Sequence, residues 1–396
     1  MARKRVIYQS EGLYVGPTSG ATHNETLNSV AGGSITRTGV EPAQLHRIQS
    51  INYGFDIPRQ DVNQFGQLAR IDQVILEQPT VDLDFSWYTE TGHNEQQLGF
   101  HMGGANALSH IIEGKLGTPD TAVHAGVPGS NFYVRVSAEG DDLNLTNNTQ
   151  DKVIGMGNCF VTNLTAEASV GSFPTTSCTA EGLNMKFYAA TEGTSTSAAV
   201  PAVNPVDGSS ITAIYVLPHA KQGEQDMPTA LRPGDIKFTA DILTDNKLWR
   251  GMDADELKIQ SFSISADMSR ENLERLGSKF AYSKELEFPL TATLTMEAIV
   301  SDQVADDLEN IINDDDSTYK ARMQIFPPNY DGTKGNTQHA IAYALRGCKT
   351  DSLSFSSAIG DNKTVSLTAT AQIGAKDDTA NGFFMFTSGV SITTNE

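Results

Sequence analysis

The stretch IQSINYGFDIPRQDVNQFG, Ile48 to Gly66, returns later as IQSFSISADMSRENLERLG, Ile259 to Gly277. Aligned without a gap, the two share Ile-Gln-Ser, then Asp56 with Asp267, Arg59 with Arg270 and Gly66 with Gly277: six identities in nineteen, at an offset of 211. Further matches follow in the same order. Leu108–Glu113 (LSHIIE) meets Leu308–Asn313 (LENIIN) at offset 200, Asn148-Thr149-Gln150 meets Asn336-Thr337-Gln338 at 188, and Gly157 lies near Cys159 as Gly347 adjoins Cys348. Collinear blocks with falling offsets are what loop insertions in the first half produce. The chain reads as one unit written twice.

The patterning inside the blocks says what the unit is made of. In TVDLDFSWY, Val81, Leu83, Phe85 and Trp87 alternate with Asp82, Asp84 and Ser86, the period of two expected of a strand with one buried face. LTATLTMEA repeats this with Leu290, Ala292, Leu294 and Met296 against Thr291, Thr293, Thr295 and Glu297. Matching the prolines Pro79 and Pro289 at offset 210 would turn the apolar face outward, whereas 211 keeps Leu83 on Leu294. Each half then switches to helical spacing. Val304, Leu308, Ile311 and Ile312 fall at i, i+4, i+7 and i+8 behind Ser301 as an N-cap, and ANALSHIIEG ends on Gly114. NFYVRVSA, KVIGMGNCFVTNLTAEASV, IKFTADIL, KARMQIFP, AIAYALRGCKTDSLSFSSAI and KTVSLTATAQI read as further strands. The expected class is mainly β (α+β), with antiparallel pairs and one helix per half.

The implied organisation is an N-terminal arm over 1–40, a first unit over 41–188, a linker or exposed loop over 189–210, and a second unit over 211–396 that includes a C-terminal arm. The segment from Ala189 to Ser210 contains no Leu, Ile or aromatic residue. Both it and Met1–Val40 are expected to order mainly through contact with adjacent subunits.

Composition bounds the role. The 48 acidic residues against 28 basic ones leave a net charge of -20, which argues against gripping nucleic acid by its phosphates. Cys159, Cys178 and Cys348 are too few and too odd for a disulfide framework or a four-ligand zinc site, and are expected as buried thiols. The basic start MARKRVIYQSEG lacks a signal-like apolar run, and no stretch reaches the roughly 18 apolar residues of a membrane span, so the expectation is a protein made in a cytoplasm without a membrane anchor. GMGNCF opens like a dinucleotide loop but carries Phe160 where the third Gly belongs. Loops beginning at Asp142 and Asp314 lack the Gly and Glu of a calcium loop. No histidine pair or nucleophile elbow is present, so no catalytic residue, cofactor or metal is expected.

The repeated block of strand, Arg-bearing turn, Phe-Gly or Leu-Gly, strand and amphipathic helix, followed by GNCFVTNLTAEASVGSFPTTSCTAEGLN, resembles the tail tube proteins of long-tailed bacteriophages over most of both halves. The resemblance implies two tandem domains, each an antiparallel β-sandwich or half-barrel flanked by one α-helix, whose sheets join those of neighbours around a channel. It further implies homotrimeric, pseudo-hexameric rings stacked into a hollow virion tail tube that conducts double-stranded DNA without specific binding. A tape-measure protein and a tail terminator are the implied partners. Alternatives are a terminator or distal tail ring of the same fold, or a surface-displayed β-sandwich adhesin. Within the tube reading, the polar strand faces supply the candidate channel-lining residues Asp82, Asp84, Ser86, Thr293, Thr295 and Glu297.

Overall fold

The computed structural model describes residues 11–17, 24–30, 33–38, 43–112, 129–137, 152–189, 199–203, 210–217, 231, 236–241, 258–277, 281, 283–300, 319–327, 339–359 and 362–391. The first half holds β1 (Glu11–Pro17), β2 (Asn24–Val30), β3 (Gly33–Thr38), β4 (Ala43–Gln44), β5 (Ile48–Asp56), β6 (Arg59–Val62), β7 (Asp72–Ile75) and β8 (Thr80–Tyr88). After the short helices α1 (His93–Gln97) and α2 (Ser109–Ile112) come β9 (Ser130–Val136), β10 (Lys152–Ser169), β11 (Thr175–Gly182) and β12 (Asn184–Ala189). The rest is β13 (Ala199–Val203), β14 (Ser210–Val216), β15 (Ile236–Asp241), β16 (Lys258–Asp267), β17 (Arg270–Leu273), β18 (Ser283–Leu286), β19 (Leu290–Ile299), β20 (Tyr319–Ile325), β21 (Ile341–Ser356), β22 (Thr364–Ile373) and β23 (Gly382–Thr387).

Alternation does the building. Along β8 and β19 the alternating apolar residues Val81, Leu83, Phe85, Trp87, Leu290, Ala292, Leu294, Met296 and Ala298 are buried and the polar ones exposed or half-buried, so one face of the sheet is removed from water while the other stays wet. The principal sheet runs β15-β20-β21-β22-β19-β16-β10-β11-β8-β5, antiparallel throughout its pairs. Two long strands link layers. The start of β10 pairs with β9 and β12, and its end with β11 and β16. The start of β21 pairs with β20 and β23, and its end with β22. Phe85 of β8 meets Phe132 of β9 with ring centroids 5.7 Å apart. Sandwich packing of this kind buries the inner faces of both layers. Trp87, Phe132, Leu294 and Phe383 belong to one core that both halves share.

The strand registers of the halves coincide. At offset 211, β5–β8 superposes on β16–β19, with the bulge at Gln49 falling on the bulge at Gln260. The hairpin β6–β7 falls on β17–β18 at the same offset. From β9 to β11 the offset is 189. Ser130 opposite Cys159 corresponds to Tyr319 opposite Cys348, and the bulge at Thr162 falls on that at Asp351. The residues before those cysteines, Asn158 (φ 52) and Gly347 (φ 72), are both left-handed. Asn and Gly are the types that adopt this conformation most readily. The structural counterpart of Gly347 is therefore Asn158 and not Gly157.

Other expectations need revision. Of the first-half helix expected within ANALSHIIEG, only Ser109–Ile112 (α2) is helical among the described residues; α1 lies upstream of that stretch, ends before Gly99 (φ 96) and was not anticipated. The matching second-half helix over Ser301–Asn313, the Asn148 and Asn336 triplets, Gly114 and the acidic loops at Asp142 and Asp314 lie outside the described residues. Part of the expected N-terminal arm is integral: β1 pairs with β9 along its whole length, and Leu13 and Val15 enter the core. An alternating Leu-x-Val in a short strand suffices once a partner edge is available. Within the expected linker, β13 pairs with β14. β11, β12 and β23 were not anticipated.

Candidate functional site: the polar face and its two ends

The sheet presents a polar surface across both halves, interrupted at Phe160 in the row of Asp82 and Glu181. Asp82, Asp84 and Ser86 project from β8 opposite the core face, as do Thr293, Thr295 and Glu297 from β19; the 211 offset places the two sets at matching positions. The register extends their rows. Ser86 lies opposite Ser50 on one side and Ser177 on the other, and the row continues through Thr165, Ser265, Thr293, Thr370 and Lys349. The next row holds Thr175, Glu167, Ser263, Thr295, Thr368 and Ser352. Small hydroxyl side chains satisfy each other locally: Ser50 and Ser86 hydroxyls are 2.6 Å apart, Thr175 donates to Glu167 at 3.2 Å, and Ser261 to Glu297 at 3.4 Å. The surface is short-chained and hydrogen-bonded.

Its charge is concentrated in carboxylates. Burial, then Glu181, Asp84 and Asp56 nearby, raise the Asp82 carboxyl above its ordinary range, while Lys284 opposes them. An anion approaching this cluster meets like charge at close range.

Both ends of the polar face are open. β5 closes one end of the strand order and, among the described strands, pairs on one side only, with β8. At the other end, the Asp351–Ser356 part of β21 pairs only with β22 among the described strands. Between the halves the same kinds of edge are joined: Asn163–Ser169 of β10 pairs with Ser261–Asp267 of β16. The joint is reinforced by β17–β18, which leans onto the first half. The Lys284 ammonium, buried, contacts Glu181 at 2.8 Å, and Arg270 and Lys284 lie over the Phe160 ring at 4.6 and 5.9 Å. The Gln78 side chain accepts from the Ala281 amide at 2.7 Å.

A second polar cluster lies under the sheet beside α1. Trp87 donates its indole N–H to Glu95 at 3.3 Å, and Arg47 ion-pairs with Glu90. Burial pushes both glutamates up to about 7, against the counteracting Arg47 at Glu90 and the hydrogen bonds at Glu95. Asn94 exchanges two hydrogen bonds of 2.8 Å with the His46 backbone, and the His46 and His93 rings stack at 4.1 Å. With Glu90 and Glu95 enclosed, this arrangement pins the β4–β5 entry to α1. His101, held down to about 4 by burial and by His110, sits in a two-histidine contact. Among the described residues no three His, Cys, Asp or Glu side chains are grouped to hold a metal ion. The cysteines are buried and unpaired, burial pushing Cys159 and Cys348 up to about 12. No helix of the described residues is long and apolar enough to cross a membrane.

The structure thus places all six candidate channel-lining residues on one face. What sequence reading missed was the joint itself: Phe160, Glu181, Arg270 and Lys284 are far apart in sequence, and only Arg270 lay in a recognised repeat.

No family model matches the chain, and no curated protein matches it. Among solved structures it aligns with a chain from the virion of a native gene transfer agent particle, at 14% identity, over 39% of this chain and 98% of that one, with a TM-score of 0.23. A score that low carries no weight for fold or role.

Proposed function

We propose that the protein is a virion structural protein that polymerises as stacked rings into a hollow tail tube conducting double-stranded DNA. The observation that carries this reading is the internal joint: each half meets the other edge to edge, and the chain's two outer edges are the counterparts of the edges already joined. A head-to-tail contact that repeats by rotation closes into a ring. Closure also removes the exposed edges that would otherwise invite uncontrolled pairing.

Strand geometry favours three chains per ring. Each contributes eight strands to the continuous face, β5, β8, β11, β10, β16, β19, β22 and β21. Twenty-four strands about 4.8 Å apart and tilted about 40° make a wall roughly 48 Å across, leaving roughly 35–40 Å inside the side chains. Two chains would leave only about 20 Å by the same reckoning. In this reading the polar face lines the lumen. Its hydroxyls and carboxylates offer phosphate little to hold, so DNA passes without the counterion release that would retain it.

Electron microscopy of the purified chain tests the reading. Long hollow filaments built of three-chain rings are expected. Isolated monomers, single rings that never stack, or rings of six full-length chains would overturn it. Replacing Asp82 and Asp84 by Lys is expected to leave filaments intact while slowing genome delivery; unchanged delivery would remove these residues from the lumen wall.

A further inference from the structure

The joint inside the chain supplies a residue-level template for a joint that a single chain cannot make. Offset 189 maps Asn163–Glu167 of β10 onto Ser352–Ser356 of β21, and offset 211 maps Ser263–Asp267 of β16 onto Asn52–Asp56 of β5; the coincident bulges fix both mappings. Inside the chain, Leu164 faces Ala266 and Ala166 faces Ile264, all four buried. Their counterparts at the outer edges are Leu353 with Phe55 and Phe355 with Tyr53. Phe55 is 59% exposed and Phe355 48%. Strands whose counterparts bury small apolar residues against a partner thus carry large aromatic ones about half exposed or more, Phe355 with the Lys363 ammonium 5.1 Å from its ring centre, at the positions where that partner would sit. The outer layer repeats the asymmetry: Met385 of β23 is buried and bridged to Met102 of the first half, whereas its counterpart on β12, Phe187, is 66% exposed.

We infer that β21 of one chain pairs antiparallel with β5 of a second copy, Ser352 opposite Asp56, Ser354 opposite Gly54 and Ser356 opposite Asn52, enclosing Leu353 and Phe355 against Phe55 and Tyr53. The inference rests on the tube reading in taking a second copy as partner, and adds to it a register. Opposed residues in such a ladder bring Cβ atoms about 4.5–5.5 Å apart, and diagonal neighbours about 7–8 Å. The seam is polar on the lumen face and apolar on the core face, as the internal joint is.

The register is tested with paired cysteines in the full chain. The three native thiols are buried and stay out of the reaction under mild oxidation. The double variant Gly54→Cys with Ser354→Cys is expected to form covalent dimers and trimers on a denaturing gel, at least tenfold faster than the diagonal control Asn52→Cys with Ser354→Cys. Equal rates in the two variants, or assembly without an in-register crosslink, would overturn the seam while leaving the tube standing. Crosslinked closed rings that never stack would support the seam and sink the tube. As a variant independent of cysteine chemistry, Phe55→Asp is expected to abolish association while circular dichroism stays that of the parent. Undiminished association would count against the seam.

Discussion

The two hairpins share a backbone and differ in nearly everything that touches it. β6–β7 and β17–β18 have the same length and register, and each turns at a left-handed glycine, Gly66 (φ 88) or Gly277 (φ 85). Yet β6 is wholly exposed, while β17–β18 lies against Phe160, Glu181 and Gln78, although both turns carry a bare apolar residue, Phe65 in one and Leu276 in the other. Under the two offsets, the docked set of Arg270, Lys284, Phe160 and Glu181 becomes Arg59, Gln73, Lys349 and Thr370. One cation survives at its place on the hairpin; the aromatic platform, the acid and the buried ammonium do not. Register alone therefore does not dock a hairpin. Beside the β10–β16 ladder and the Gln78 hydrogen bond, those four side chains hold the internal joint, and the outer ends of the chain lack that set.

The contrast can be broken at its centre. Phe160→Ala removes the platform under two cations and a buried ring, and is expected to lower unfolding stability by about 3–5 kcal/mol in urea titrations. A loss under about 1 kcal/mol would mean that the hairpin is held elsewhere.

A contrast of the same size lies in the polar cluster beside α1. Glu90 and Glu95 have folded-state values raised to about 7, so their contribution is fully present below about pH 4.5 and is lost as pH rises through about 7. His101 in the cluster and His339, just before β21, both lowered to about 4 mainly by burial, act oppositely: their contribution is present above pH 6.5 and lost as pH falls through about 4. The two pairs offset each other between about pH 4.5 and 6.5, and the glutamates alone weaken the fold above that. Glu95→Gln removes one carboxylate from this balance and should gain up to about 3 kcal/mol over the parent on moving from pH 5 to pH 8. Thermal melts at both pH values read it out; an unchanged gap would contradict the burial argument.

The hairpins can next be compared at one matched position. Arg270→Ala takes away the stacked guanidinium and its hydrogen bond to the Lys284 carbonyl at 3.1 Å, and is expected to cost about 2 kcal/mol. Arg59→Ala, on the exposed strand, should stay within about 0.5 kcal/mol. Equal costs in unfolding titrations would erase the asymmetry.

The smallest effect sharpens the likeness instead. A Cβ at Gly66 or Gly277 would meet nothing within 4 Å, so alanine at either is opposed by left-handed backbone alone, about 1–2 kcal/mol in each hairpin. Stability measurements on the two variants should agree; a clear inequality would show that the turns are not equivalent.

How much of this was legible in the sequence follows from what each feature rests on. β8 and β19 read directly because large apolar residues alternate with polar ones. β11 hid because its buried positions, Thr176, Cys178, Ala180 and Gly182, are too small or polar to mark a period. β23 hid for the opposite reason: Gly382–Thr387 is buried at every position, so no alternation is written. The helical spacing of the first half was real in kind, but among the described residues only Ser109–Ile112 of ANALSHIIEG is helical. The polar face was readable strand by strand, since the same alternation that buries Leu83 exposes Asp82. The joint was not, because which edge meets which is decided by tertiary approach, and Phe160 reads locally as one more strand residue.

The long strand β10 has a mechanical consequence. It is hydrogen-bonded to β9 and β12 in one layer and to β11 and β16 in the other, with no loop between. Tension applied along it would load many bonds in shear at once instead of peeling them singly, and would pass from the outer layer into the second half through β16. Stiffness is thereby placed in the continuous strands and compliance in the undocked hairpin β6–β7, so an assembly of this chain would bend at its outer contacts before its subunits stretch.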